Sequence, residues 1–290
     1  MFREFKTVWL LVLIAGMGTS VPPLMLLLGG IVGSTMAPSP RWATMPIALM
    51  IIGTACAVLP VTRCMARLGR RMTFFIFFGI GALACLLAGE ALARSDFVLF
   101  CLAGALLGAT NAALQQARFA AMESVPLAQT ATAASIIMCS GLIAAFLGPE
   151  MAVWGRSLSD VEYRGSFWLG ACCFAIAGGL LALYKPKARP PVSRSDKPAR
   201  TIAQMLQSRT LVVAIAAGAI AFIVMTFVMT ATPISMHLHH GHSLEDTKFV
   251  IQSHIAAMFL PSLLTAWLFR LFQIRGVMVA GLLCYATMII

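Results

Sequence analysis

The chain has 290 residues, of which 60% are hydrophobic and 11% charged, with a net charge of +11 and a mean hydropathy of +0.91. Soluble domains carry about 25% charged residues, so the composition excludes an ordinary water-soluble globular fold. The positive balance calls for no nucleic-acid partner: the cations sit in short connections between apolar runs, and no RNA- or DNA-binding pattern accompanies them.

A bilayer span needs roughly 20 apolar residues. In chain order the runs fall at about 7 to 34, 42 to 62, 72 to 94, 97 to 120, 130 to 155, 166 to 184, 210 to 236 and 248 to 270, with a ninth begun at Gly276. None alternates with period 2, which excludes a membrane barrel, and lipid leaves helices as the remaining way to satisfy the backbone. The expected fold is an all-α membrane protein with eight full transmembrane helices and part of a ninth. The first run is too long for a signal-peptide core and should persist as a helix, bent by Gly16, Gly18, Pro22 and Pro23. Eight cysteines without C-x-x-C spacing read as buried small hydrophobes rather than as a disulfide or metal framework.

Alternate connections collect Lys and Arg. With the N-terminus cytoplasmic, 16 of the 21 cations lie inside, and Arg41, Arg94, Arg156, Arg164 and Lys248 lie outside among six acidic residues. The positive-inside bias therefore predicts a multi-pass protein with a cytoplasmic N-terminus. Residues 185–209, rich in Pro, Ser and cations, read as a cytoplasmic linker with a short amphipathic stretch at Ile202 to Leu206. They divide the chain into a six-helix set at 1–184 and an incomplete second set at 210–290. The hairpin sequences TRCMARLGRR (Thr62 to Arg71) and TAWLFRLFQIR (Thr265 to Arg275) each place an Arg-Leu pair between the second and third helix of a set, the mark of a duplication.

TRCMARLGRR resembles the cytoplasmic signature of the major facilitator superfamily (MFS) through Arg67, Gly69, Arg70 and Arg71, while Thr62 and Ala66 stand where that family has Gly and Asp. Gly148-Pro149 resembles part of the Gly-Pro element of the family's antiporters. The resemblance covers the whole chain. It implies an MFS-type helical bundle in a bacterial inner membrane, with a small-molecule solute as cargo, taken up or expelled, and protons as a coupling partner to be tested. Arg67, Gly69, Arg70, Arg71, Gly148 and Pro149 are the implied gating elements.

Polar residues within spans are costly and mark candidate pathways. Asn111, Gln115 and Arg118 share one helix face; they either line a central cavity, with Arg118 pairing with an anionic substrate or a carboxylate, or serve helix packing, with Arg118 snorkelling to headgroups. Thr226, Thr230, Gln252 and His254 are candidates for the same pathway, with packing as the alternative for the threonines and an interhelical hydrogen bond for His254. Glu150, after the Gly-Pro kink, is either a headgroup-level carboxylate or the protonatable group of a proton-coupled cycle. His237, His239, His240 and His242 read as a solvated or pH-sensitive loop before a metal site. With no phosphate loop, catalytic triad or metal-ligand helix motif, no enzymatic activity and no cofactor are expected. The chain stops 15 residues into the ninth span. It therefore reads as a piece of a transporter, or as a truncated, non-transporting product or helical partner of another complex.

Overall fold

Each long apolar run is helical, and several of the helices bend where a residue weakens the backbone ladder. A computed structural model describes residues 5–186 and 201–289, and no strand occurs among them. The first run comprises α1 (Lys6–Thr19) and α2 (Val21–Met36). It breaks at Ser20 because Pro22 and Pro23 have no N–H to offer the carbonyls of Gly18 and Thr19. The hydroxyls of Thr19 and Ser20 donate back to the carbonyls of Ala15 and Gly16, both at 2.6 Å, a pattern that itself bends helices.

The next helix, α3 (Met45–Arg94), holds two spans. Gly69 adopts φ +77° and ψ 167°, and the chain doubles back there. Ala57 and Val61 before the turn pack with Phe77 after it, whereas a straight helix would set Val61 and Phe77 about 24 Å apart. Then follow α4 (Phe97–Leu114) with α5 (Ala117–Glu123), α6 (Thr130–Ile137) with α7 (Cys139–Trp154), and α8 (Arg164–Leu180). Most of the expected linker, residues 187–200, lies outside the described residues. Its end forms the short α9 (Ile202–Leu206), opened by a Thr201–Gln204 capping box. The second set comprises α10 (Arg209–Pro233), a π-helical turn over Ile234–His239, α11 (Leu244–Leu263) and α12 (Thr265–Ile289). Gln273 inside α12 takes φ +54° and ψ 172°, nearly the Gly69 conformation, so the two hairpins match in backbone as well as in the Arg-Leu pair.

Lipid tails are as apolar as leucine, so close packing must hold such helices together. Gly104 and Gly108 of α4 face the carbonyls of Pro46 and Met50, and Gly53 faces that of Ala105; a Cβ at any of them would strike the opposing backbone. Across the same interface Thr54 Oγ1 donates to the Gly108 carbonyl and Thr110 Oγ1 to that of Phe77, each at 3.0 Å. Phe78 packs between Phe74 and Phe174, and Phe100 meets Phe167 edge-on. The outer surface carries Phe75, Leu83, Val98, Phe146, Ile223 and Phe227, an apolar exterior suited to lipid. The cysteines correct their expected placement: Cys85, Cys101 and Cys173 are buried, but Cys56, Cys172 and Cys284 are exposed, and all eight are free thiols. A small apolar thiol is as compatible with a lipid-facing position as with a core.

Candidate functional site

Three helix interruptions converge on one cavity of about 570 Å³. The α1–α2 break contributes Thr19, Pro22 and Pro23; the α4–α5 break contributes Gln115 and Arg118; the α6–α7 break contributes Met138 and Ser140. Interrupted helices leave backbone polar groups without intrahelical partners, and in membranes such breaks occur where the backbone lines a cavity or packs on protein. Nothing in the residue types themselves explains the break at Met138.

The wall is otherwise soft and apolar, with Met50, Met225, Met229, Met258, Phe222 and Phe259. Its polar patch is built on α3 and α4. Asn111 Nδ2 donates to Thr54 Oγ1 at 3.4 Å, and Thr54 is positioned by the carbonyls of Met50 and Gly108. The structure thus brings the expected stripe of Asn111, Gln115 and Arg118 onto the lining, together with Thr226. Thr230 instead lines a second cavity of about 630 Å³ with Thr44, Ser235 and His239, and Ile51, Phe222 and Thr226 border both. The hydroxyl oxygens of Thr226 and Thr230 are buried without a hydrogen-bond partner.

Gln252 and His254 do not border these cavities. Gln252 donates to Glu150 at 3.1 Å and to the Phe146 carbonyl at 3.3 Å. Half-buried His254 has a buried Nε2 without a partner. Glu150 accepts a 2.9 Å ion pair from Lys248, the two side chains 24% and 19% exposed. One carboxylate therefore ties α7 to α11. Beside it, a Cβ on Gly148 would strike the Ser20 carbonyl, and Pro149 cannot donate to the carbonyl of Ala145, so α7 packs closely on the α1–α2 break.

Near the Gly69 turn, Arg70 makes a two-pronged pair with Glu123, Nε and Nη2 each 2.6 Å from a carboxylate oxygen. Arg71 donates to the Ala182 carbonyl at 3.2 Å, and Arg67 is exposed. The carboxylate absent at Ala66 is thus supplied from α5. At the far ends of α3 and α8, Glu90 pairs with Arg94 and Arg164, and Arg156 pairs with Glu162. His237 and His240 turn Nδ1 on the carbonyls of His242 and Ser235 at 2.9 and 2.8 Å.

Thr54, Glu123 and Lys248 were missed as partners from the sequence. Thr54 was legible as a hydroxyl in the middle of an apolar run, while Glu123 and Lys248 carried no local signal of what they meet.

Comparisons with known proteins agree with this architecture. The Major Facilitator Superfamily profile matches residues 8–290. The riboflavin transporter RfnT of Brucella anthropi is 32% identical over 283 residues, covering 97% of this chain and 71% of that protein. The uncharacterised MFS-type transporters YddS and YdeG of Bacillus subtilis are 30% and 32% identical, over 88% and 82% of this chain. The chain spans 60% and 58% of those two proteins' lengths. A helical bundle with an apolar exterior, duplicated hairpins and this match over nearly its whole length make the chain a multi-pass membrane protein that belongs to the major facilitator superfamily.

Proposed function

We propose that this chain builds the solute site of a facilitator-type secondary transporter, with eight full spans and part of a ninth, an N-terminal half at 1–184 and a second set from 210. The observation that carries this reading is the cavity at three helix breaks. Its volume lies within the roughly 300–1,000 Å³ typical of small-molecule sites, and its walls pair an Asn111–Thr54 polar patch with methionines and phenylalanines. The similarity to a riboflavin transporter supports a flat heteroaromatic solute: methionine sulfur favours aromatic ring edges, and an amide beside a hydroxyl can bond a ring edge. Asn111, Gln115, Arg118 and Thr226 line the solute route, with Thr230, Gln252 and His254 flanking it. Arg67, Gly69, Arg70, Arg71, Gly148 and Pro149 serve its gates, and Glu150 is the group through which proton coupling would act. The cation bias supports a cytoplasmic N-terminus and Gly69 turn, and the family resemblance with the short loops supports a bacterial inner membrane.

Riboflavin fluorescence titrated against the purified chain tests this. Saturable quenching is expected, weakened about five- to 150-fold by Asn111→Leu, since a buried hydrogen-bonding group lost from a site costs on the order of 1–3 kcal/mol. Equal quenching by the native chain and the variant removes Asn111 from the site, and no saturable quenching removes the flavin.

A further inference from the structure

The charges around the cavity are lopsided. Among the described residues that line it, Arg118 alone carries a formal charge, and none is acidic. Its guanidinium lies 5.0 Å over the Phe119 ring, and among the described residues no carboxylate pairs with it. The nearest acid along the chain, Glu123, is gripped by Arg70 through both oxygens. Arg118 is exposed, as are Arg63 and Arg67 close to the Gly69 turn. Apolar walls focus the field of such a charge into the aqueous space between them.

We propose that Arg118 makes the cavity selective by charge, admitting neutral and anionic solutes and turning away cationic ones. This rests on the cavity being the solute site, and it extends that reading from shape to charge. A cation there would meet a fixed positive group and no lining carboxylate to offset it. A neutral ring loses nothing, and an anionic group gains a planar donor fork.

The test reads the field without using the solute. In a background with the native cysteines replaced by serine, Ala55→Cys puts a thiol on the lining, at an exposed position of α3. Inside-out membrane vesicles are treated with sulfonate-bearing or trimethylammonium-bearing methanethiosulfonate, each rate being divided by its rate on free cysteine. Any effect of Arg118 on thiolate formation cancels in the ratio. The anionic reagent is expected to react at least about tenfold faster than the cationic one, the low end of electrostatic focusing in a cleft. Arg118→Lys should keep the preference, Arg118→Gln should bring the ratio near one, and Arg118→Glu should invert it. A native ratio near one, or a ratio unchanged by Arg118→Glu, overturns the proposal. Riboflavin titration of the same vesicles keeps the two readings apart. Charge preference without flavin binding leaves this inference standing and removes the flavin, whereas flavin binding with no charge preference removes this inference alone.

Discussion

Removing either partner of the Glu150–Lys248 pair should loosen α11 from α7 and leave the other charge stranded. Exposed ion pairs contribute about 0.2–1 kcal/mol, while breaking a fully buried pair costs about 3–5 kcal/mol. With side chains 24% and 19% exposed, this pair lies between those limits. Gln252 adds a hydrogen bond to the same carboxylate oxygen at 3.1 Å, and hydrogen bonds to charged groups contribute about 1.5–3 kcal/mol. Lys248→Met should therefore destabilise by about 2 kcal/mol, because the Glu150 carboxyl keeps only the Gln252 side chain as a partner. Glu150→Gln should cost somewhat less, since Lys248 is long enough to swing its ammonium towards water. The double variant should cost about 1–2 kcal/mol less than the two singles added. Equilibrium unfolding in mixed detergent micelles, followed by tryptophan fluorescence, measures all four corners of the cycle. Additivity within about 0.3–0.5 kcal/mol, the scatter of independent sites, would refute a direct coupling and reduce the pair to a surface contact.

At the two matched hairpins the same φ has opposite consequences. Gly69→Ala should destabilise by about 1–3 kcal/mol through backbone strain alone, because nothing lies within 4 Å of its would-be Cβ. Gln273→Gly should stabilise by about 1 kcal/mol or more, since a side chain at that φ and ψ stores strain; the same micelle unfolding assay checks both signs. Gly108→Val should disrupt the α3–α4 interface, where Met50 offers its backbone rather than a yielding side chain, and should abolish the monodisperse peak in size-exclusion chromatography. Ser243 caps α11 by accepting from Asp246 N–H, while the Ser243 hydroxyl and N–H donate to the Asp246 carboxylate and hold it below the usual carboxylate range. A depressed carboxyl stabilises above its unfolded pKa of about 3.9 and loses that contribution as pH falls through its folded value. Asp246→Ala should therefore lower the unfolding midpoint at pH 7, with the gap to the native chain closing below about pH 4. A cysteine at position 67 should be labelled by an impermeant maleimide only after permeabilisation of whole cells, and one at position 240 without it.

The spans, the Gly69 turn and the break at Pro22 and Pro23 were legible in the sequence because each follows from local chemistry: run length against bilayer thickness, a glycine where φ turns positive, and two residues without an N–H. The recurrence of the hairpin was legible as well, since the Arg-Leu pair recurs, although Gln273 showed only in the backbone that it repeats the turn of Gly69. The Gly104-x-x-x-Gly108 spacing was present as a signal for close helix approach, but only the fold names Pro46 and Met50 as what those glycines admit. Asn111, Gln115 and Arg118 were placed on one face by periodicity, yet periodicity is blind to what a face meets. That Thr226 joins them on the cavity lining while Gln252 turns away to Glu150 depends on how α10 and α11 pack on the first helices. Ion pairing is the clearest case. Ala66 left the first hairpin without its acid, and Glu150 read as a headgroup carboxylate ahead of a proton carrier. Arg70 finds Glu123 across 53 positions of chain and Glu150 finds Lys248 across 98; partners so remote in sequence are chosen by the tertiary packing of helices.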